Sequence, residues 1–353
     1  MALSAPASAD GPGEREHALR ALLAASDAQD PCAATNVLRS LRDGLKTETS
    51  RYRPQVVAAL LRSEAACGSD APAAAAPKIA GDQVDVPAGP FLRGSSDADL
   101  QKGLALCRQT YSRPNECTVS WFQAESPQRS IHLDGFSIDR HEVTNARYAQ
   151  CVAAGTCRPI NYTACTMMDP ATRGWRMGGP GHPDARKPGY PAVCVNWDDA
   201  RTFCRWTGGR LPTEAEWEKA ARGTDGRAFP WGSDWREAAL NWGDLSAGGD
   251  FGVKDGVSGA SAPGAFAGSV SPYGAHDMSG NVWEWTQDWY AAEFYVHGAD
   301  RNPVNLTQSA GLGRSVRGGS WSFAGNGART TYRYYEDPAT RDDAVGFRCV
   351  SDR

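Results

Sequence analysis

The stretch Asp277–Trp289, DMSGNVWEWTQDW, sets the acids Asp277, Glu284 and Asp288 among three tryptophans. Tryptophan is mostly buried in folded proteins, and a carboxylate is seldom buried without a partner. Something must therefore satisfy these carboxylates. A hard cation is one answer, because Ca²⁺ takes several oxygen ligands from carboxylates and backbone carbonyls. Asp277 and Glu284 can supply side-chain oxygens, and Gly280 and Val282 are spaced to turn carbonyls inward. A buried turn whose acids accept backbone N–H groups is the other answer. The spacing is not that of an EF-hand loop. A second metal candidate lies upstream, where Asn241 and Trp242 precede a glycine-rich acidic loop holding Asp250, Asp255 and Val257.

Other reactive side chains are dispersed. The histidines, His17, His132, His141, His182, His276 and His297, form no HxxxH or HExxH pair, so a helix-borne zinc or iron site is not supported. No GxSxG elbow and no glycine-rich phosphate loop is present. The ten cysteines lack zinc spacing. An even number of scattered cysteines favours disulfides and an oxidising compartment, against a set of reduced structural thiols. Cys107 and Cys117 are expected to close their own loop, Cys151 and Cys157 to bridge across a helix end, and Cys32 and Cys67 to clasp an N-terminal helical unit.

Composition narrows the class further. The net charge of −4 comes without a basic stripe, which argues against a nucleic-acid partner. No apolar run reaches membrane-spanning length. Thirty-eight glycines, 22 prolines and 12 tryptophans describe a loop-rich α+β fold held by aromatic packing.

The elements that must position these residues read as follows. Residues 1–13 are expected to be disordered. Apolar residues at helical spacing mark a small helical unit over 14–67, either a spacer or a docking element. Residues 68–80 are a linker by composition, and the main domain fills 81–353. MALSAPASADG has no basic and apolar leader pattern, so we expect a trimmed start or another export route. Gln83–Leu92 reads as a strand broken at Pro87–Ala88–Gly89, and Ile131, Leu133, Phe136 and Ile138 as strands around Gly135. Thr144 caps a helix that stops at Gly155. Asn161–Tyr190 reads as one long loop. Asp198 is expected to cap the next helix. Thr213 and Glu216 box the following one, whose buried face is Trp217, Ala220 and Ala221, while Glu214 and Glu216 serve capping and solvation.

These segments together resemble a known family. DMSGNVWEWTQDW, VPAGPFLRGS (Val86–Ser95), IDRHEVTNARYAQCV (Ile138–Val152), the run Pro191–Gly223, FPWG (Phe229–Gly232), RGGSW (Arg317–Trp321) and GFRCV (Gly346–Val350) resemble the formylglycine-generating enzyme family, also called the sulfatase-modifying factor family. The resemblance implies an irregular domain related to the C-type lectin fold. It implies two structural Ca²⁺ sites, one at Asn241, Trp242, Asp255 and Val257, the other at Asp277, Gly280, Val282 and Glu284. It pairs Cys204 with Cys349, closing a loop of roughly 145 residues. Cys165 and Cys194 then remain for each other.

Family chemistry depends on two thiols just after GGSW, which bind copper(I), activate oxygen and oxidise a substrate cysteine to formylglycine. Here RGGSW is followed by SFAGNGARTTYRYYEDP (Ser322–Pro338). Aligning on Arg329 and Arg333 puts Phe323 at the first thiol position and only glycine and alanine near the second. No copper is expected, and calcium is the implied ion. Two functions fit. One is a non-catalytic, extracytoplasmic binding or assembly module with a protein or peptide partner, meeting it through Phe323, Arg329, Tyr332, Tyr334, Tyr335 and Arg341, with Trp321 and Arg333 in the core. The other is an oxidative tailoring enzyme with a relocated site, for which His182, Glu336 and Asp337 are the nearby residues.

Overall fold

A computed structural model describes residues 82–169, 171–172, 174–244, 254–308 and 312–353. The expected helical unit over 14–67, the linker over 68–80, the Cys32–Cys67 clasp and Asp250 lie outside the described residues.

The first and last strands of the domain flank the same neighbour. Strand β1 (Gln83–Val86) is followed by β2 (Gly89–Arg93), the break falling at Pro87–Ala88 as the sequence predicts. Strands β3 (Arg129–Leu133) and β4 (Phe136–Asp139) turn at Asp134–Gly135. β4 is the centre of an antiparallel sheet with β1 on one side and β11 (Val350–Asp352) on the other. Its register sets Val84 and Val350 opposite Ile138. Period-two alternation then turns Val84, Val86, Phe136, Ile138 and Val350 to one buried face. Strands β2 and β3 pair separately.

The second sheet carries the tryptophan-rich stretch. Strand β7 (Trp283–Trp289) lies between β10 (Val345–Gly346), which is parallel to it, and β8 (Arg314–Arg317), which is antiparallel. Strand β9 (Tyr334–Glu336) completes the order β10-β7-β8-β9. The expected long loop over 161–190 contains a short hairpin, β5 (Thr166–Asp169) with β6 (Gly174–Met177). Each of its strands is too short to reveal a period in sequence.

Helix starts follow local capping chemistry. α1 (Asp97–Thr110) begins at a Ser96–Asp99 capping box and buries Leu100, Leu104 and Cys107. This helix lies in a segment whose sequence reads only as a loop closed by Cys107 and Cys117. α2 (Asn145–Ala153) is capped by Thr144. α3 (Trp197–Trp206) is capped by Asn196, with Asp199 closing the box. Asp198 instead sits in the first turn beside Arg201, because the Asn196 amide oxygen is the one that reaches the Asp199 N–H. α4 (Glu214–Arg222) starts at the Thr213–Glu216 box and stops at Gly223, φ 71°. α5 (Phe294–His297) is a single turn.

Four disulfides tie these pieces together: Cys107–Cys117, Cys151–Cys157, Cys165–Cys194 and Cys204–Cys349. Among the described residues no cysteine is free and no helix is long and apolar enough to cross a membrane.

Candidate functional site

The segment after β8 must turn sharply twice, and its sequence allows it. Gly318 and Gly319 sit at φ 100° and 77°. A Cβ on Gly318 would press on the Trp217 indole, and one on Gly319 on the backbone of Gly327 and Ala328. The chain then passes Ser320–Phe323, makes a 3₁₀ turn at Gly325–Ala328 and returns through Arg329–Arg333 into β9.

Buried ion pairs hold this return. Arg329 grips Glu125 through two N–H···O bonds, one of 2.8 Å, and Ser95 and Thr331 hydroxyls bond the same carboxylate. Arg333 grips Glu214 at 2.8 and 2.9 Å. Arg317 joins Glu214 to Glu218, which also accepts from Tyr295 and Arg222. Burial pushes the Glu214 carboxyl up, but Arg333 and Arg317 overcome it and hold it below the usual range. Glu214 therefore anchors the fold instead of facing solvent; α4 is buried along its whole length and is the hub on which Arg317 and Arg333 converge.

Above these pairs lies a cavity of about 420 Å³. Its walls are Tyr111, Trp121, Tyr290, Phe323, Tyr332, Tyr334 and Tyr335, with Asp244, Ser322, Asn326 and Arg333 among them. The aromatic rings support one another. Trp283 stacks on Tyr334 at 5.5 Å and meets Phe323 edge-on at 5.2 Å. Tyr335 bridges Tyr334 and Tyr290 at 5.8 and 4.8 Å. Asn326 is 2% exposed, and its Oδ1 has no hydrogen-bond partner.

The two acidic loops lie on the other side of the glycine turn. In the first, Asp255 accepts the N–H groups of Trp242 and Val257 at 2.6 and 2.9 Å, and burial raises its carboxyl. Asn241 donates to Gly259 O and Asn281 Oδ1, leaving its own Oδ1 buried without a partner. In the second, Asp277 sits at φ 56° and accepts the Gly264 N–H, and burial lifts its carboxyl to about 6. Glu284 accepts from Trp217 Nε1 at 2.8 Å and, through both oxygens, from Arg348. Glu142 is fully buried nearby, bonded by Asn281, and pushed far up by burial and by the charges of Asp277 and Glu284. One guanidinium thus serves three buried carboxylates.

A family profile described as sulfatase-modifying factor enzyme 1-like domain matches residues 69–353. The chain belongs to the sulfatase-modifying factor family. Formylglycine-generating enzyme from Thermomonospora curvata is 30% identical over 318 residues, 80% of this chain and 97% of that protein. Bovine "inactive C-alpha-formylglycine-generating enzyme 2" is 40% identical over 185 residues, 50% of this chain. The matched stretch spans little more than half, 56%, of the bovine protein. Among solved structures, PvdO from Pseudomonas aeruginosa superposes with a TM-score of 0.53 at 24% identity, covering 77% of this chain and 94% of PvdO. The sulfatase-modifying factor domain is thus a C-type-lectin-like α+β fold.

Several predicted site residues of this sulfatase-modifying factor domain need correction. Arg329 is buried, at 3% exposure, and committed to Glu125, so it is not open to a partner, whereas Tyr332, 6% exposed, reaches the cavity wall. Arg341 pairs with Asp199 and bonds the Cys194 carbonyl. Phe323, Tyr334 and Tyr335 do come together on the cavity, while Trp321 and Arg333 are buried. His182, Glu336 and Asp337 do not line it. Sequence reasoning missed Asn326, Glu125 and Glu142. Glu142 lies inside the motif Ile138–Val152, and its place in that motif is the signal that could have found it. Glu125 had no such signal, since its partner is 204 positions away.

Proposed function

We propose that this chain is a non-catalytic, extracytoplasmic binding module on the formylglycine-generating enzyme scaffold. The observation that carries the reading is Phe323, an aromatic ring at the position where the family places its first thiol, forming one wall of an aromatic cavity. Copper(I) needs soft thiolate ligands, and every described cysteine is tied in a disulfide. The likeness to a bovine protein named inactive supports the same reading. The disulfides support an oxidising compartment.

Calcium fits as the structural ion of both loops. Asn241 Oδ1 and Asp255 offer hard oxygens in the first, with the carbonyls of Trp242 and Val257. Asp277 offers one in the second, with the carbonyls of Gly280 and Val282. A dication there would favour the ionised forms of Glu142 and Asp277, whose carboxyls burial otherwise pushes up. Bound Ca²⁺ would fix these loops by hard oxygen coordination. The loops reach the cavity through one chain of contacts: the Ser279 hydroxyl donates to Ala328 O, and Trp321 N to Asn281 O. A competition assay against a copper(I) chelator tests the reading. No copper transfer to the protein is expected, and stoichiometric transfer overturns it.

A further inference from the structure

The cavity leaves a set of hydroxyl groups unused. Trp283, Tyr334, Tyr335 and Tyr290 follow one another as a staircase of rings, tilted by 26°, 25° and 36° from one to the next. Phe323, which stands where the family places its first thiol, adds its ring beside Tyr332 and Tyr334 at 5.9 and 6.0 Å. Tyr334 and Tyr335 are each 37% exposed. Among the described residues nothing bonds the hydroxyls of Tyr290, Tyr332, Tyr334 and Tyr335, and those of Tyr290 and Tyr332 are not closed off by burial. Each phenol can both donate and accept. The charged side chains of the walls are already engaged: Arg333 grips Glu214, and Asp244 accepts the Ser112 N–H. The walls therefore do not select an ion. A hydrocarbon occupant would strip water from the phenols and give nothing back. A peptide backbone offers one donor and one acceptor per residue, spread along its length, whereas these phenols stand on neighbouring rings. A sugar ring matches both features. It has an apolar C–H face to lie on aromatic rings, and several hydroxyls at its edge that donate and accept. The volume of about 420 Å³ admits a mono- or disaccharide.

Resting on the binding reading above, we propose that the cavity takes a neutral sugar ring. The ring lies on the faces of Tyr334 and Tyr335, and its hydroxyls exchange hydrogen bonds with the unpaired phenols around it.

The test titrates the full chain, by calorimetry or tryptophan fluorescence, with cellobiose, maltose, lactose and N,N′-diacetylchitobiose, beside cyclohexanol and a decaproline peptide. At least one disaccharide should bind about tenfold tighter than cyclohexanol, which keeps an apolar ring but only a single hydroxyl. Tyr334→Phe combined with Tyr335→Phe keeps both rings and removes hydroxyls that hold nothing in the fold. This double variant should weaken the best disaccharide about tenfold and cyclohexanol far less. A tetrasaccharide of the same sugar that binds tighter than the disaccharide identifies a glycan chain as the source, and one that binds no tighter identifies a free sugar. Cyclohexanol or decaproline binding as tightly as the best disaccharide, an unchanged affinity in the double variant, or no binding of any disaccharide overturns the proposal. Each of those results leaves the non-catalytic reading standing; copper loading or cysteine oxidation would instead strike that reading.

Discussion

Removing the long disulfide should cost far more than removing a short one. Cys204–Cys349 closes a separation of 145 residues and Cys151–Cys157 one of six. Loop-closure entropy assigns about 5 kcal/mol to the first and about 2 kcal/mol to the second. All four cysteines are almost completely buried, so paired alanine substitutions leave similar packing defects, which largely cancel in the comparison. C204A/C349A should therefore unfold at a much lower urea midpoint than C151A/C157A, with a steeper slope because the long crosslink no longer compacts the denatured chain, and with a stability gap of about 3 kcal/mol. The four closed loops follow one another along the chain without overlap. Their contributions add to about 14 kcal/mol, comparable to the whole net stability of an ordinary domain. Full reduction should accordingly unfold the domain at room temperature. Equal midpoints for the two double variants, or a reduced protein that keeps its cooperative transition, would refute the reasoning.

Other outcomes follow from the buried charges. Arg329→Met strands Glu125 in the core and should destabilise by about 3–5 kcal/mol, read by urea unfolding; unchanged stability with lost ligand binding would restore Arg329 as a contact residue. Asp343 is raised to about 8 by burial and by Asp342. The folded state then holds a proton that the unfolded chain releases, so stability falls as pH rises from about 4 to about 8. Asp343→Asn should flatten that slope and be the more stable protein at the alkaline end by about 1–3 kcal/mol, as thermal melts across pH would report. Ca²⁺ should raise the melting temperature and a chelator lower it. Asp277→Asn, which keeps a residue tolerant of φ 56°, should weaken the Ca²⁺ effect, whereas an unchanged effect would remove Asp277 from the ion's ligands.

Much of the scaffold is legible in sequence where the determinant is local. The Thr213–Glu216 box, the Thr144 cap and the break between β1 and β2 need only a few neighbouring residues. The N-cap of α3 fell two residues from its expected place, since Asn196 and Asp198 are both good caps and only one reaches the Asp199 N–H. The cavity was half legible. The aromatic residues around Phe323 are dense in sequence, but which of them face space depends on partners far away. Arg329 looks like a surface hot spot until Glu125 takes it inside. Glu214 looks like a solvated capping acid until Arg317 and Arg333 converge on it from the other end of the chain. Asn326 gives no sign at all, because an unmade hydrogen bond is a property of the packed state.

In the proposed function a formylglycine-generating scaffold binds without oxidising. The most direct test incubates the protein with copper(I), oxygen and a sulfatase-type cysteine peptide, beside the Thermomonospora curvata enzyme, and follows conversion of the thiol to an aldehyde by mass spectrometry. The account predicts an unchanged peptide with this protein. Turnover of the peptide, abolished by a copper chelator, would contradict it.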